Sequence, residues 1–227
     1  MEFAVDDSKE LWLSIRKNLD DFKVQFGRAT AQAYVNDPRM ISFIAARYKF
    51  ASKMLAGADM VIEVGCGDAF GGPIVAQSVK RLICTDIDEE TIAANRSRCA
   101  VFKNIEFHYH DFRAEPFRER ARAIYLVDVI EHIFASEEPT FLRNLVQSLT
   151  PDGFILMGTP NANAEQYASA HSREGHVNLK TQVALRELLA EYFQNVFMFS
   201  MNDEVVHTGY GPMAHYIWGL GVGPKTL

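Results

Sequence analysis

The chain has 227 residues, 48% of them hydrophobic, which suits one α/β domain with an added segment and argues against wholesale disorder. Its 23 basic and 29 acidic residues give a formal net charge of −6, which argues against broad nucleic-acid binding through a basic face. The acidic start lacks the profile of a signal peptide, and no apolar stretch approaches the roughly 20 residues that span a bilayer. Three cysteines without CxxC spacing indicate a reduced compartment. We therefore expect a cytoplasmic protein.

The first part of the chain is predicted to be helical, over residues 8 to about 56. Apolar residues recur three and four apart in LWLSIRKNLDDF and MISFIAARYKFASKML, and NDP interrupts the pattern between them. We treat residues 1–56 as an N-terminal helical cap segment. Residues 57–227 then form the ligand-binding part of a single domain.

From residue 57 onwards, short β-type runs alternate with helical stretches. The runs are MVIEVG, RLICTD, NIEFHYH, AIYLVDV and GFILMGT. This alternation predicts an α/β fold whose parallel sheet is covered on both faces, with the ligand at the carboxyl ends of the strands. In the tail, a capped helix at TQVALRELLAEYF precedes NVFMFSM and MAHYIWGLGV, which predict an antiparallel pair at one edge of the sheet.

The first strand runs into a glycine-rich turn, VIEVGCGDAFGG at residues 61–72. No Gly-Lys-Ser/Thr follows, which excludes a Walker A loop, and Phe70 stands where the dinucleotide fingerprint after Gly65 and Gly67 requires its third glycine. Glu63 adds a negative charge that would repel phosphate and favour a cation. The turn therefore predicts a ligand without phosphate.

Carboxylates follow the next two strands as well. Asp86, in LICTDID, comes about twenty residues after the glycines, where it can accept hydrogen bonds from both ribose hydroxyls, and Ile87 can cover one face of adenine. In HDF, Asp111 can accept from the adenine amino group while Phe112 packs on the ring. These positions predict an adenosine that carries positive charge.

With these motifs in order, residues 60–160 resemble class I S-adenosylmethionine-dependent methyltransferases. EVGCGDAFGG is similar to their first motif, TDID to the second, HDF to the third and VDVIEHI to the fourth. The resemblance implies a Rossmann-like, seven-stranded sheet with an antiparallel C-terminal strand, and S-adenosylmethionine as cofactor. A nicotinamide-binding Rossmann domain is the alternative.

The resemblance also assigns residues to the methionyl end of the cofactor. Gly65 and Gly67 would let the backbone approach it, and Asp128, after the fourth strand, would border the sulfonium. Arg47 would be the partner of the methionyl carboxylate, with a solvated helix arginine as the alternative.

Methyl transfer needs an aligned nucleophile and a proton acceptor near strands four and five. Glu131 and His132 lie in DVIEHI, and His176 lies in the long polar loop after strand five. His132 is our candidate general base, since imidazole titrates near neutral pH; alternatively it caps the strand–helix turn. Glu131, His132 and His176 could instead converge on a divalent cation that acidifies a hydroxyl.

Two groups of methyltransferases are similar in this region. The ubiquinone-biosynthesis type and the sugar-modifying enzymes share EH after strand four and TPN after strand five. The small-RNA terminal 2′-O-methyltransferases bind metal through Glu, Glu-His and a later His, and here Asp128 replaces the first glutamate. Our main hypothesis is methyl transfer to a small molecule, at a hydroxyl of a sugar or nucleotide sugar. The alternatives are a metal-dependent RNA 3′-terminal 2′-O-methyltransferase and a non-catalytic S-adenosylmethionine-binding protein. We expect no membrane or nucleic-acid partner, and a homodimer stays open.

Overall fold

The computed structural model describes residues 7–17, 23–168 and 170–226. The part of the predicted N-terminal helices at 18–22 lies outside the described residues. The helices are α1 (Ser8–Arg16), α2 (Arg28–Asn36), α3 (Met40–Met54), α4 (Gly72–Ala76), α5 (Glu89–Arg98), α6 (Glu138–Gln147), α7 (Ala170–Gly175) and α8 (Gln182–Tyr192). The strands are β1 (Met60–Val64), β2 (Arg81–Asp86), β3 (Ile105–Tyr109), β4 (Ala121–Val127), β5 (Leu149–Pro160), β6 (Phe193–Asn202), β7 (Val205–His207) and β8 (Tyr216–Pro224). Within these ranges, every helix is too short or too polar to cross a membrane.

One mixed sheet organises the molecule, with strand order β3-β2-β1-β4-β5-β8-β6-β7. The strands from β1 to β5 pair in parallel, and β8 inserts antiparallel between β5 and β6. The Rossmann-like sheet and its antiparallel C-terminal strand are therefore confirmed. The sheet has eight strands rather than seven because Val205–His207 turns back along β6.

Side chains that alternate along the strands build two cores, one on each face of the sheet. Val61 belongs to the core on the α3, α4 and α5 side, whereas its neighbour Ile62 belongs to the core on the α6 and α8 side. In β4, Ala123 and Ile124 divide between the faces in the same way. This double burial explains why the parallel strands read as nearly continuous apolar runs.

The N-terminal helices differ in how they join the sheet. α3 packs into the first core through Tyr48 and Ala51, and Leu55 is buried just after the helix ends. α2 contacts the glycine turn, because the backbone N–H and the hydroxyl of Thr30 each donate to Asp68, both at 2.8 Å. α1 has no buried residue. The predicted cap segment is therefore tied to the domain through α2 and α3.

Candidate active site

A cavity of about 260 Å³ opens at the carboxyl ends of the parallel strands. The predicted residues that line it are Gly65, Gly67, Asp86, Ile87, Asp111, Phe112, Asp128 and His132. They come from four separate segments, after β1, β2, β3 and β4, that only the parallel sheet brings together. The location predicted for the ligand is therefore the location of this cavity.

The glycine turn has the backbone freedom that its sequence indicates. Gly65 and Gly67 have φ angles of +67° and +49°, in the region that favours glycine. A Cβ at Gly65 would lie 2.5 Å from Cγ2 of Val129, whereas a Cβ at Gly67 would have nothing within 4 Å. Gly65 is thus required by packing, and Gly67 leaves open space through which a ligand can approach the backbone.

Asp86 closes the turn from the neighbouring strand. Its Oδ2 accepts from the backbone N–H of Gly67 at 2.9 Å, and its Oδ1 accepts from the N–H of Asp88 at 3.0 Å. Each carboxylate oxygen can accept more than one hydrogen bond, so both keep capacity for a ligand. A carboxylate beside an open glycine backbone fits an adenosine ribose.

Asp111 and Phe112, which are predicted to receive adenine, line the cavity after the end of β3. Asp111 also has a partner that the sequence did not indicate: it accepts from the backbone N–H of Arg113 at 2.9 Å and from the guanidinium at 2.9 and 3.0 Å. These bonds lower the pKa of Asp111, which keeps it an anionic acceptor. Phe141, from α6, also lines the cavity and has no signal in its local sequence.

Glu63 is not among the residues that border the cavity, which corrects its predicted role. It is 1% exposed and its Oε2 accepts a hydrogen bond from the Cys84 thiol at 3.2 Å. The pleat of β1 directs its side chain to the face of the sheet that also carries Cys84, its partner on β2, rather than toward the strand tip. Burial raises its pKa to about 7, and its enclosed side chain does not reach a ligand in the cavity.

Arg47 and Asp128 form an ion pair beside the cavity. Arg47 Nη1 lies 2.6 Å from Asp128 Oδ2, and the guanidinium lies 4.0 Å from the ring centroid of Tyr216. The Arg47 side chain is only 14% exposed, so the alternative of a solvated arginine is wrong. Asp128 has a φ of +57°, an uncommon conformation for a non-glycine residue that clusters at functional sites.

Glu131, His132 and His176 come together although the last is 44 positions along the chain from His132. One potential ligand atom from each lies within 4.8 Å of the other two. The ring centroids of the histidines are 5.3 Å apart. The Glu131 backbone carbonyl accepts from the N–H groups of Val177 and Asn178, at 2.9 and 3.0 Å, which fixes the loop of His176 against the end of β4.

Burial and neighbouring groups perturb this cluster. Burial, together with the charge of Asp128, raises the pKa of Glu131 to about 8, while Thr159 donates to its Oε2 at 3.0 Å. Burial, with the adjacent His132, lowers the pKa of His176. His132 Nδ1 lies 2.8 Å from the Gly175 carbonyl oxygen. Since a carbonyl can only accept, Nδ1 is the donor, and in the neutral ring Nε2 then has the lone pair.

A partly buried ion pair fixes the end of the long loop, just before α8. Lys180 Nζ lies 2.7 Å from Glu138 Oε2, and the two side chains are 12% and 13% exposed. Asn178 joins them, donating to Glu138 and accepting from Lys180, both at 2.7 Å. No sequence pattern indicated this contact, because Glu138 begins α6 and its partners lie about 40 residues later.

The sheet order and the cavity at its carboxyl edge agree with the resemblance to class I S-adenosylmethionine-dependent methyltransferases. Residues 61–153 match the family described as methyltransferase domain. A probable S-adenosylmethionine-dependent methyltransferase of Mycolicibacterium smegmatis is 29% identical over 115 residues, which are 50% of this chain and 42% of that protein. A probable S-adenosylmethionine-dependent methyltransferase of Mycobacterium tuberculosis is 28% identical over 102 residues, 44% of this chain and 35% of the other. The chain thus spans less than half the length of these curated relatives.

Solved structures share the fold. The methyltransferase domain of bacterial CtHen1 has a TM-score of 0.67 and 15% identity, covering 79% of this chain and 98% of its own. The DhpI complex with SAH has a TM-score of 0.63 and 16% identity, covering 87% and 93%. The predicted class of protein and its cofactor, S-adenosylmethionine, are confirmed, and the nicotinamide alternative is not supported.

Proposed function

We propose that this chain is an active methyltransferase whose acceptor is a hydroxyl of a small molecule, such as a sugar or nucleotide sugar. The observation that carries the proposal is the 2.8 Å contact between His132 Nδ1 and the Gly175 carbonyl oxygen, which makes Nδ1 the donor and gives the neutral ring its lone pair at Nε2. The free Nε2 lone pair belongs to a residue that lines the cofactor cavity. A hydroxyl must lose its proton when it is methylated, and this imidazole is the group suited to accept it.

The residues around the cavity divide into two roles in this proposal. Gly67 and Asp86 receive the ribose and the neighbouring part of the cofactor, while Asp111 and Phe112 receive adenine. The bound cofactor supplies a methyl group already activated on a sulfonium, so the protein needs no covalent intermediate. His132 would orient the acceptor hydroxyl through Nε2 and take its proton as the oxygen–methyl bond forms and the methyl–sulfur bond breaks, which leaves a neutral thioether.

The test combines cofactor binding with a search for the acceptor. Calorimetry with S-adenosylhomocysteine should give binding, and sugars and nucleotide sugars incubated with S-adenosylmethionine should gain the mass of one CH₂ group. His132→Ala should spare binding and slow transfer, whereas His108→Ala, a histidine outside the cavity that pairs with Glu106, should change neither. Equal turnover in the His132 and His108 variants would exclude the base role. Binding of S-adenosylhomocysteine without reaction of any acceptor would favour a non-catalytic binding protein.

A divalent cation is a second candidate for activating the acceptor, favoured by the convergence of Glu131, His132 and His176. One carboxylate and two imidazoles suit a divalent transition metal, which would acidify a bound hydroxyl. EDTA would then abolish turnover and leave the affinity for S-adenosylhomocysteine unchanged, and His176→Ala would weaken Mn²⁺ binding measured by calorimetry. Turnover that is insensitive to EDTA in metal-free buffer would leave His132 as the base.

A further inference from the structure

Five large apolar side chains are exposed where the cavity edge of the sheet meets solvent. Tyr167, Met213 and Tyr210 are 81%, 78% and 72% exposed, and Phe134 and Val177 are also exposed. We call these five residues the apolar rim. Single exposed apolar residues need no explanation, but a group at the mouth of a site indicates an interaction surface.

The topology places the rim at the same edge of the sheet as the cavity. Phe134 follows His132 by two residues, and Val177 follows His176 directly. Both therefore flank the candidate catalytic cluster, since the N–H of Val177 also donates to the Glu131 carbonyl at 2.9 Å.

Tyr167 and Met213 lie on two short 3-10 segments that contact each other, Ala162–Tyr167 and Gly211–Met213, and Tyr210 directly precedes the second segment. The side-chain amide of Asn161, at the end of β5, donates to the carbonyls of Gly211 and Ala214 at 2.9 and 2.7 Å. Pro160 pairs with Tyr216, so the segment that leads into β8 lies at the carboxyl end of β5. Both segments therefore stand at the same edge of the sheet as the cavity.

The interior beneath the rim is polar. Glu131 Oε1 and His176 Nδ1 are buried and have no hydrogen-bond partner within the described ranges. Buried polar atoms are nearly always paired, so these two are suited to a polar group of a bound molecule. Polar atoms of Glu131 and His176 next to an apolar rim match a molecule with one polar end and one apolar end.

We propose, on the basis of the function proposed above, that the acceptor is an amphiphile: a hydroxyl-bearing head group that carries an alkyl or aryl substituent. The head group enters beside His132 and His176, and the substituent lies on the apolar rim. A nucleotide sugar would leave the rim uncovered, because the part of that molecule beyond the sugar is anionic and strongly hydrated. The inference thus narrows the acceptor to a glycoside or similar hydroxyl compound with an apolar aglycone.

A chain-length series tests this directly. Methyl, hexyl and octyl β-D-glucoside, each below its micelle concentration, are titrated by calorimetry into the protein saturated with S-adenosylhomocysteine. Each fully buried methylene is worth about fourfold in affinity, and burial on an open rim is partial. We therefore expect the octyl glucoside to bind at least tenfold more tightly than the methyl glucoside.

Two variants locate the effect. The double variant Tyr167→Ser, Met213→Ser should abolish the dependence on chain length. Val101→Ser should preserve it, because Val101 is similarly exposed but lies in the connection that enters β3, at the opposite edge of the sheet. Thermal melts and the S-adenosylhomocysteine affinity should be unchanged in both variants. A negative result for the apolar rim can therefore be distinguished from a loss of cofactor binding or methyl transfer.

Three results would overturn the proposal: no binding of the octyl glucoside, equal affinity across the series, or a chain-length dependence that survives in the double variant. Sedimentation of the wild type alone and with phosphatidylcholine vesicles identifies the other occupants. If affinity does not depend on chain length and the wild type dimerises while the double variant does not, the rim is assigned to a second copy of the chain. If instead the wild type binds vesicles and the double variant does not, the rim is assigned to a lipid surface.

Discussion

Asp86 allows the sharpest test of the cofactor site. Its two oxygens accept from the N–H groups of Gly67 and Asp88, at 2.9 and 3.0 Å, which fixes the carboxylate and leaves further acceptor capacity on each oxygen. Hydrogen bonds to a charged group contribute about 1.5–3 kcal/mol. Asp86→Ala should therefore weaken S-adenosylhomocysteine binding by about 2 kcal/mol, or about 30-fold in Kd.

Calorimetry measures that loss, and Asp88→Ala is the matched control. The Asp88 side chain caps α5 by accepting from the N–H groups of Glu90 and Thr91 at 3.0 and 3.2 Å. Its removal should lower the free energy of unfolding by about 1 kcal/mol while the Kd stays unchanged. If Asp86→Ala binds within twofold of the wild type, or if both variants lose affinity equally, the assignment of Asp86 to the ribose is wrong.

Further predictions concern the glycine turn, the base and a buried acid. Gly65→Ala should destabilise the fold, because its Cβ would lie 2.5 Å from a Val129 methyl at a φ of +67°, whereas Gly67→Ala should mainly weaken cofactor binding; thermal melts with calorimetry separate the two effects. His132→Ala should slow methyl transfer by roughly 10²–10⁴ at unchanged S-adenosylhomocysteine affinity, measured by single-turnover mass spectrometry. Burial raises the pKa of Glu63 from 4.5 to about 7, so the folded state binds a proton that the unfolded state releases. Stability should therefore fall by roughly 3 kcal/mol as the pH rises from about 4.5 through 7, and Glu63→Gln should flatten that part of a urea-denaturation pH profile.

The parallel core of the fold could be predicted because each strand is buried on both faces and therefore appears as an apolar run. The strand-end carboxylates were equally visible, since Asp86 and Asp111 follow such runs directly. The strand β7 could not be predicted, because three residues are too few to show an alternation. The predicted role of Glu63 was wrong, because its position near the end of β1 did not reveal that its side chain is buried beside Cys84.

Other residues of the candidate site could not be predicted from the sequence, because their contacts form only in the folded chain. Tyr216 beneath Arg47 and Phe141 in the cavity wall come from elements remote in sequence, and nothing in their local sequence distinguishes them from ordinary core residues. The meeting of His132 and His176 was predictable only as one of several options for the long loop. Their proximity depends on hydrogen bonds to the Glu131 carbonyl, which a sequence does not display.

The ion pair between Arg47 and Asp128 joins residues 81 positions apart. The family-matched region begins only at residue 61, so a fragment trimmed to that similarity would inherit the anion without its counterion. Such a fragment would keep the four motifs that follow β1 to β4 and still carry an uncompensated charge next to the cavity. A fragment for expression should therefore include α3, which carries Arg47, rather than begin where the family match begins.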